Sequence, residues 1–296
     1  MSFLRLVWVT TAWQSVMSVW ALDEVGSMRP WILKREIEAR IALYRGARRQ
    51  AHRLPSPLQV SVKSHPPRYK YLRQALLSLL AQDVRPDGVH LWIEHQHLAQ
   101  LPAGVRALQR LGLAIRPCEN GLRSYGKIVP ALEQYPTAYI ATADDDHIYP
   151  PDWLSKLAAA AGPDTIAYHR GHRMRFAPDG SPMPYEAWDR EIDGQVEGDI
   201  VLPTGVGGIL YPPSALDPRV IERHLFQALA PTSDDLWLFW MAQLRGTGFR
   251  KAASTALPET LPTSSIASLF SINNPEQTGN DLAIRALVAA FGLPRS

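Results

Sequence analysis

Residues 139–150 read Tyr-Ile-Ala-Thr-Ala-Asp-Asp-Asp-His-Ile-Tyr-Pro. The first five form the apolar run of a buried strand, and three consecutive carboxylates, Asp144, Asp145 and Asp146, follow it directly. Like charges this close repel one another and are costly to fold. A hard divalent cation such as Mg²⁺ or Mn²⁺ relieves that cost, because such ions prefer carboxylate oxygens. At the end of a strand, the bound metal can hold a diphosphate. The same residues also fit a solvated acidic turn ahead of the helix that Pro150-Pro151-Asp152-Trp153 begins. Spacing alone leaves both readings open.

The flanking sequence sets the fold class. Leu58 to Ser64 reads as a short strand ended by His65-Pro66-Pro67, and Tyr69 to Gln82 carries apolar residues at helical spacing. Val89 to Ile93 is a second strand, Ala103 to Leu111 a helix and Leu113 to Arg116 a third strand. Lys127 to Gln134 is expected to be helical despite Pro130, and Ala138 to Ala143 is a fourth strand. Strands alternating with helices predict an α/β fold, a mostly parallel sheet with helices on both faces. Ligands of such sheets bind outside the carboxyl ends of the strands. Ser64 to Arg68 and Asp144 to Asp146 both fall on that rim.

The second half has a mixed pattern. Ala167 to Phe176 reads as one strand with basic groups on both faces, and Pro184 to Trp188 as a short irregular segment. Gly205 to Gly208 is a backbone-permissive loop leading into the strand Ile209 to Tyr211. Leu236 to Leu244 is an apolar helix, and Asp281 to Phe291 a last helix with Asn280 as its expected N-cap.

Composition narrows the function classes. The 296 residues can form one large or two small domains, and a net charge of +3 gives no reason to expect nucleic acid as a partner. The single cysteine, Cys118, excludes an internal disulfide, a structural zinc site of several cysteines and an iron–sulfur cluster. A reducing, cytoplasmic setting fits.

The N-terminus differs from the rest. Leu6 to Leu22 carries no charge but is interrupted by Thr10, Thr11, Gln14, Ser15 and Ser18, with Trp8, Trp13 and Trp20 among them. It is short and polar for a membrane span, which needs roughly 20 mostly apolar residues. Its positive lead is Arg5 alone, a poor match to a signal peptide. Arg29, Lys34, Arg35, Arg40, Arg45, Arg48, Arg49 and Arg53 then face only Glu36 and Glu38. Residues 1–53 could lie on an anionic membrane surface, or form a helical extension with a solvated basic face. Leu54-Pro55-Ser56-Pro57 reads as a linker, giving an N-terminal helical extension over 1–57 and a main domain over 58–296.

Taken in order, six segments resemble bacterial glycosyltransferases of the GT-A fold, family-2 type. They are SVKSHPPR (61–68), GLRSYGK (121–127), DDDHIYPPDW (144–153), PYEAW (184–188), PTGVGGILYPP (203–213) and SDDLW (233–237). Asn273, Asn280 and Asp281 also fit, and the likeness runs over roughly residues 58 to 291. It implies a GT-A (Rossmann-like) sheet with a mixed acceptor-side half. It further implies a nucleoside diphosphate sugar as donor and a glycan or lipid-linked hydroxyl as acceptor, with a role in bacterial surface polysaccharide synthesis.

Asp144 and Asp146 would then be the outer carboxylates of the family's metal motif, the first meeting the ribose or the metal, the last holding Mn²⁺ or Mg²⁺ on the diphosphate. Asp145 is counted with Asp144 among the donor-binding residues, although alternation along extended chain would point it away. Many relatives add a late histidine to the metal. This chain has none after His224, which leaves water, diphosphate oxygens or a late Asn or Asp to complete the sphere.

Asp234-Asp235 looks like the family's catalytic-base motif, with Asp235 the first choice and Asp234 the second. A helix N-terminus would help keep the carboxylate ionised. Thr232, Ser233 and the two aspartates could instead simply cap the helix. Ser64, His65, Arg68, Arg123 and Lys127 would meet the donor, and Gly207, Gly208 and Trp237 the acceptor or the sugar. Trp188 is a further stacking candidate. The basic stretch Tyr168 to Arg175 could serve an acidic or phosphate-bearing acceptor, or guard a sheet edge. Two other classes compete: a nucleotidyltransferase, against which the absence of glycine in SVKSHPPR speaks, and a non-catalytic sugar-nucleotide or carbohydrate-binding protein, against which the presence of both acidic pairs speaks.

Overall fold

The computed structural model describes residues 30–45, 50–194, 198–253, 257–262 and 279–295. The tryptophans at positions 8, 13 and 20, and Asn273, lie outside them. The chain divides into two compact units, Met1–Arg40 and Ile41–Ser296. The boundary expected after Pro57 falls inside the larger unit, where Gln50–Ala51 already pairs in parallel with Val84–Arg85. No helix among the described residues is long and apolar enough to cross a membrane.

The larger unit is built on a seven-stranded sheet. Its strands are β1 (Leu58–Lys63), β2 (Gly88–Glu94), β3 (Leu113–Cys118), β4 (Tyr139–Ala143), β5 (Thr165–Tyr168), β6 (Ile209–Tyr211) and β7 (Gly248–Lys251). Across the sheet they run β3-β2-β1-β4-β6-β5-β7. Only β6 is antiparallel to its neighbours. This is the expected mostly parallel α/β architecture. β1 and β4 are buried almost throughout, as strands covered by helices on both faces must be. The helix Tyr69–Leu79 presents Leu72, Leu76 and Leu79 to the core, all fully buried.

Register brings the functional loops to one rim. Val62 pairs with Ala143 and with Leu91, so β1, β2 and β4 end level with one another. The segments starting at Ser64 and Asp144 therefore leave the sheet side by side. Because β6 runs the other way and pairs Ile209 with Thr142, the loop Gly205–Gly208 enters the sheet at that same edge.

Several boundaries differ from expectation. The predicted strand over 167–176 is two strands, β5 and Gly171–Arg173, and the second pairs with Val201–Pro203 rather than joining the sheet. The turn at His169-Arg170 ends the strand, so its basic residues do not share one extended ribbon. Pro130 is tolerated because the helix begins at Val129, placing the ring in the first turn. The aromatic-rich helix spans Asp234–Arg245, two residues longer at its start than predicted, so both aspartates lie in its first turn. The last helix is Gly279–Phe291, which puts Asn280 inside it rather than at its cap. β7 has no counterpart in the sequence reading; as a half-exposed edge strand it lacks an apolar run.

Candidate active site

A cleft of about 610 Å³ opens over the rim, and both acidic groups line it. The chain does not stay extended after Ala143: a turn at Asp145-Asp146 breaks the alternation that would have sent Asp145 away. All three aspartates reach the cleft. Asp145 and Asp146 are only 7% and 6% exposed, which excludes a solvated acidic turn.

Two cations hold the triplet. Arg68, at the end of the short 3-10 turn Pro66–Arg68, bonds through Nη1 to Asp146 and lies 3.5 Å from Asp145 Oδ1. Lys127 Nζ donates to Asp144 Oδ1 at 2.9 Å and also stands 3.4 Å from Asp234 Oδ2. Burial alone would lower the Lys127 pKa, but Asp144, Asp234 and Asp235 together hold it well above the usual lysine value. Lys127 is thus charged and spans the cleft from the first acidic group to the second. Backbone contacts fix its surroundings. Tyr125 Oη donates to the Ala230 carbonyl at 2.6 Å, and the Asp144 N–H donates to Tyr149 Oη at 2.6 Å.

Burial pushes the Asp145 carboxyl up to about 6 despite Arg68. For Asp146, burial is outweighed by His147 and Arg68, and its pKa falls. His147 Nδ1 lies 2.6 Å from Asp146 Oδ1, and Asp146 and Asp144 raise the imidazole pKa against the effect of burial.

Asp144, Asp146 and His147 each offer a ligand atom within 4.8 Å of the others. This donor set suits a divalent cation. Five carboxylates meet here, with Arg68 and Lys127 as cations on them, and among the described residues Asp145 Oδ2 and Asp234 Oδ2 have no hydrogen-bond partner. For the metal, the sequence reading considered only histidines late in the chain, whereas the histidine of this donor set, His147, directly follows the triplet. Asn280 also lines the cleft, and its Oδ1 has no partner among the described residues.

The second acidic pair sits at the start of the helix Asp234–Arg245. No side-chain bond from Ser233 caps that helix. Asp235 Oδ2 instead accepts from the Gly205 N–H at 3.0 Å. A Cβ at Gly205 would crowd both groups, standing 2.8 Å from Lys127 Nζ and 3.1 Å from Asp235 Oδ1. Burial first, then Asp234, push the Asp235 carboxyl up to about 7, against Lys127 and the Gly205 N–H. The helix-terminus effect expected to keep it ionised is therefore overcome by its surroundings.

Of the other predicted residues, His65, Arg68, Arg123 and Lys127 line the cleft. His65 is lowered to about 4, by burial and then by Lys63 and Arg68. Ser64 is buried just behind that wall and does not line it. Gly207 and Gly208 do not line it either. The Gly207 carbonyl accepts from Trp153 Nε1 at 2.8 Å. Gly208 takes φ +90°, where a Cβ would meet the Trp153 indole at 2.5 Å. Gly208 packs on Trp153 and Gly207 on His169 and Arg170, while Gly205 and Val206 face the cleft. Trp237 is fully buried, donates to the Val220 carbonyl at 3.0 Å and packs on Phe226 and Phe291. Trp188 is 3% exposed and donates to the Met183 carbonyl. Neither indole is available to stack on a sugar. Sequence reasoning missed Lys63 and Glu94, paired at 3.0 Å on the cleft wall.

Among solved structures, the chain resembles TarS 1-349 from S. aureus in complex with UDP, at 13% identity and a TM-score of 0.46, over 80% of this chain and 67% of that one. It resembles the inositol-1-phosphate CTP transferase from T. maritima at 12% identity and a TM-score of 0.41, over 79% and 96%. It also resembles the mannosyltransferase PcManGT from Pyrobaculum calidifontis in complex with GDP-Man and Mn²⁺, at 13% identity and a TM-score of 0.39, over 87% and 76%. No family model and no curated protein sequence matches the chain. Likeness at this level carries neither a ligand nor a reaction over to this chain.

Proposed function

We propose that this protein is an inverting, metal-dependent glycosyltransferase that moves a sugar from a nucleoside diphosphate sugar to a hydroxyl of a glycan or glycolipid. One observation carries the reading: a buried acid triplet with a metal-type donor set and a second acidic pair face one cleft, joined through Lys127. Asp144, Asp146 and His147 would hold Mn²⁺ or Mg²⁺. Such an ion neutralises charge growing on the leaving diphosphate. Asp235 would take the proton from the acceptor hydroxyl as that oxygen bonds to the anomeric carbon. The bond from that carbon to the diphosphate oxygen breaks, and the nucleotide leaves with the electron pair. A carboxyl poised near 7 suits a general base at neutral pH. Lys127 and Arg68 would hold the acids in place and share the donor's negative charge.

A role in surface polysaccharide synthesis at the cytoplasmic side of a membrane, with residues 1–53 on the lipid surface, completes the proposal and rests on sequence alone.

The test is a panel of UDP-, GDP-, CMP- and dTDP-sugars, with nucleotide release and binding followed in Mn²⁺, Mg²⁺ or EDTA. A parallel arm offers nucleoside triphosphates with sugar phosphates. Metal-dependent nucleotide release from one sugar nucleotide, lost in Asp146→Asn, supports the proposal. Pyrophosphate release in the second arm alone would replace it with nucleotidyl transfer. Absence of binding in both arms would sink it.

A further inference from the structure

The cleft also contains three basic residues that the proposed transfer leaves unused: Arg170, His172 and Arg190, with Tyr185 among them. They belong to two segments tied together. Arg170 and His172 flank the start of Gly171–Arg173, and Arg190 lies on a strap laid across it. The Ile192 N–H donates to the Gly171 carbonyl at 3.1 Å, and the Glu191 N–H to His172 Nδ1 at 3.0 Å. The Arg190 guanidinium stacks 4.6 Å from the Tyr185 ring centroid. These contacts hold the arginines in place before any ligand arrives, which reduces the ordering cost of binding.

Each arginine keeps binding capacity. Glu191 engages one terminal nitrogen of Arg170 at 2.8 Å, and Glu186 one terminal nitrogen of Arg190 at 2.9 Å. Both glutamate side chains are 51% exposed, so water screens their hold. A guanidinium carries five N–H donors in a fork that matches carboxylate or phosphate oxygens.

The position of these residues relative to Asp235 gives them meaning. The Thr204 N–H donates to the Arg170 carbonyl at 2.9 Å, and the next residue, Gly205, donates its N–H to Asp235 Oδ2 at 3.0 Å. Arg170 is thus tied to the segment that holds Asp235, and Tyr185 and Arg190 line the same cleft. A hydroxyl seated at Asp235 places the rest of its molecule against Tyr185, Arg170 and Arg190.

We infer that Arg170 and Arg190 form an anion subsite for the acceptor, so that the acceptor carries a phosphate or carboxylate group close to the hydroxyl that receives the sugar. The inference rests on the transferase reading for the word acceptor, while the anion site itself can be measured without turnover.

Calorimetry on the full chain would compare glycerol phosphate with glycerol, and glucuronate with glucose. These arms separate a phosphate-bearing from a carboxylate-bearing acceptor. One anion is expected to bind where its neutral counterpart does not. Arg170→Gln or Arg190→Gln should weaken it about tenfold or more, as loss of a charge-assisted pair implies. Arg190, at 35% exposure, can be replaced without opening the core, which keeps the test valid if Arg170→Gln fails to fold. Equal binding of neutral and charged compounds would overturn the inference. So would weakening confined to Arg68→Gln, which places the anion among the donor-side groups. Anion binding intact in a protein that handles no sugar nucleotide would sink the transferase reading and leave the subsite standing. Sugar transfer that favours neutral acceptors would do the reverse.

Discussion

Lys127 Nζ lies 2.9 Å from Asp144 Oδ1, and through that contact one ammonium binds the end of β4 to the opposite wall, because Asp234 stands 3.4 Å away. The lysine side chain is 11% exposed, and the carboxylates it serves are 21% and 8% exposed. Removing one partner of such a cluster leaves charge uncompensated in poorly hydrated surroundings. Lys127→Met should therefore destabilise the fold by about 3–5 kcal/mol, read by urea denaturation. Mn²⁺ should restore part of the loss, since a cation among the acids does electrostatically what the ammonium did. A variant as stable as the parent without metal would show that the contact carries little.

The raised Asp235 pKa makes two opposite predictions. If its ionised form takes the acceptor proton, activity rises as pH passes through about 7. Stability runs the other way. The folded protein binds this proton more tightly than the unfolded chain, whose carboxyl titrates near 3.8. The contribution is complete below that value and fades as pH climbs through about 7. Thermal melts of the parent and of Asp235→Asn should therefore diverge across this window, the parent losing ground as pH rises. Parallel curves would place the carboxyl in an ordinary range.

Metal preference follows from the donor set. Two carboxylates and an imidazole nitrogen suit Mn²⁺ better than Mg²⁺, which favours an all-oxygen shell and keeps its waters. Mn²⁺ should raise the melting temperature more than Mg²⁺, EDTA should reverse the gain, and Asp146→Asn should abolish it. Equal shifts from both ions would remove His147 from the sphere.

What could be read in advance follows from how local the signal is. β4 announces itself as an unbroken buried run against which Asp144 to Asp146 stand out, and β1 and β2 as short strands, although Gln59, Ser61 and His90 are buried in them too. The rim position of Ser64 to Arg68 and of Asp144 to Asp146 followed from strand order, whereas the place of Asp234 and Asp235 in the same cleft did not. Alternation argued against Asp145, but it holds only along extended chain, and the turn that begins at that residue keeps it in the cleft. Lys127 was visible as a basic residue at the start of an expected helix, but its bridge to Asp234 spans 107 positions of sequence and only register and packing create it. Gly208 looked like a substrate contact because glycine permits close approach; the approaching group is the Trp153 indole. The N–H bond from Gly205 to Asp235 depends on β6 running antiparallel, which no short motif records.

Trp237 separates packing from recognition most cleanly. An exposed tryptophan beside an acidic pair would stack on a sugar, and its loss would weaken ligand binding. Here the indole is fully buried, its Nε1–H is satisfied by the Val220 carbonyl, and Phe226 and Phe291 close around it. Trp237→Ala should therefore cost about 3–5 kcal/mol through the cavity it leaves. Trp237→Phe should cost less, because most of the volume is kept and only the buried carbonyl loses its donor. Nucleotide affinity, measured on folded protein well below the melting transition, should be the same for parent and Trp237→Phe. A loss of affinity without a loss of stability would return the indole to the cleft.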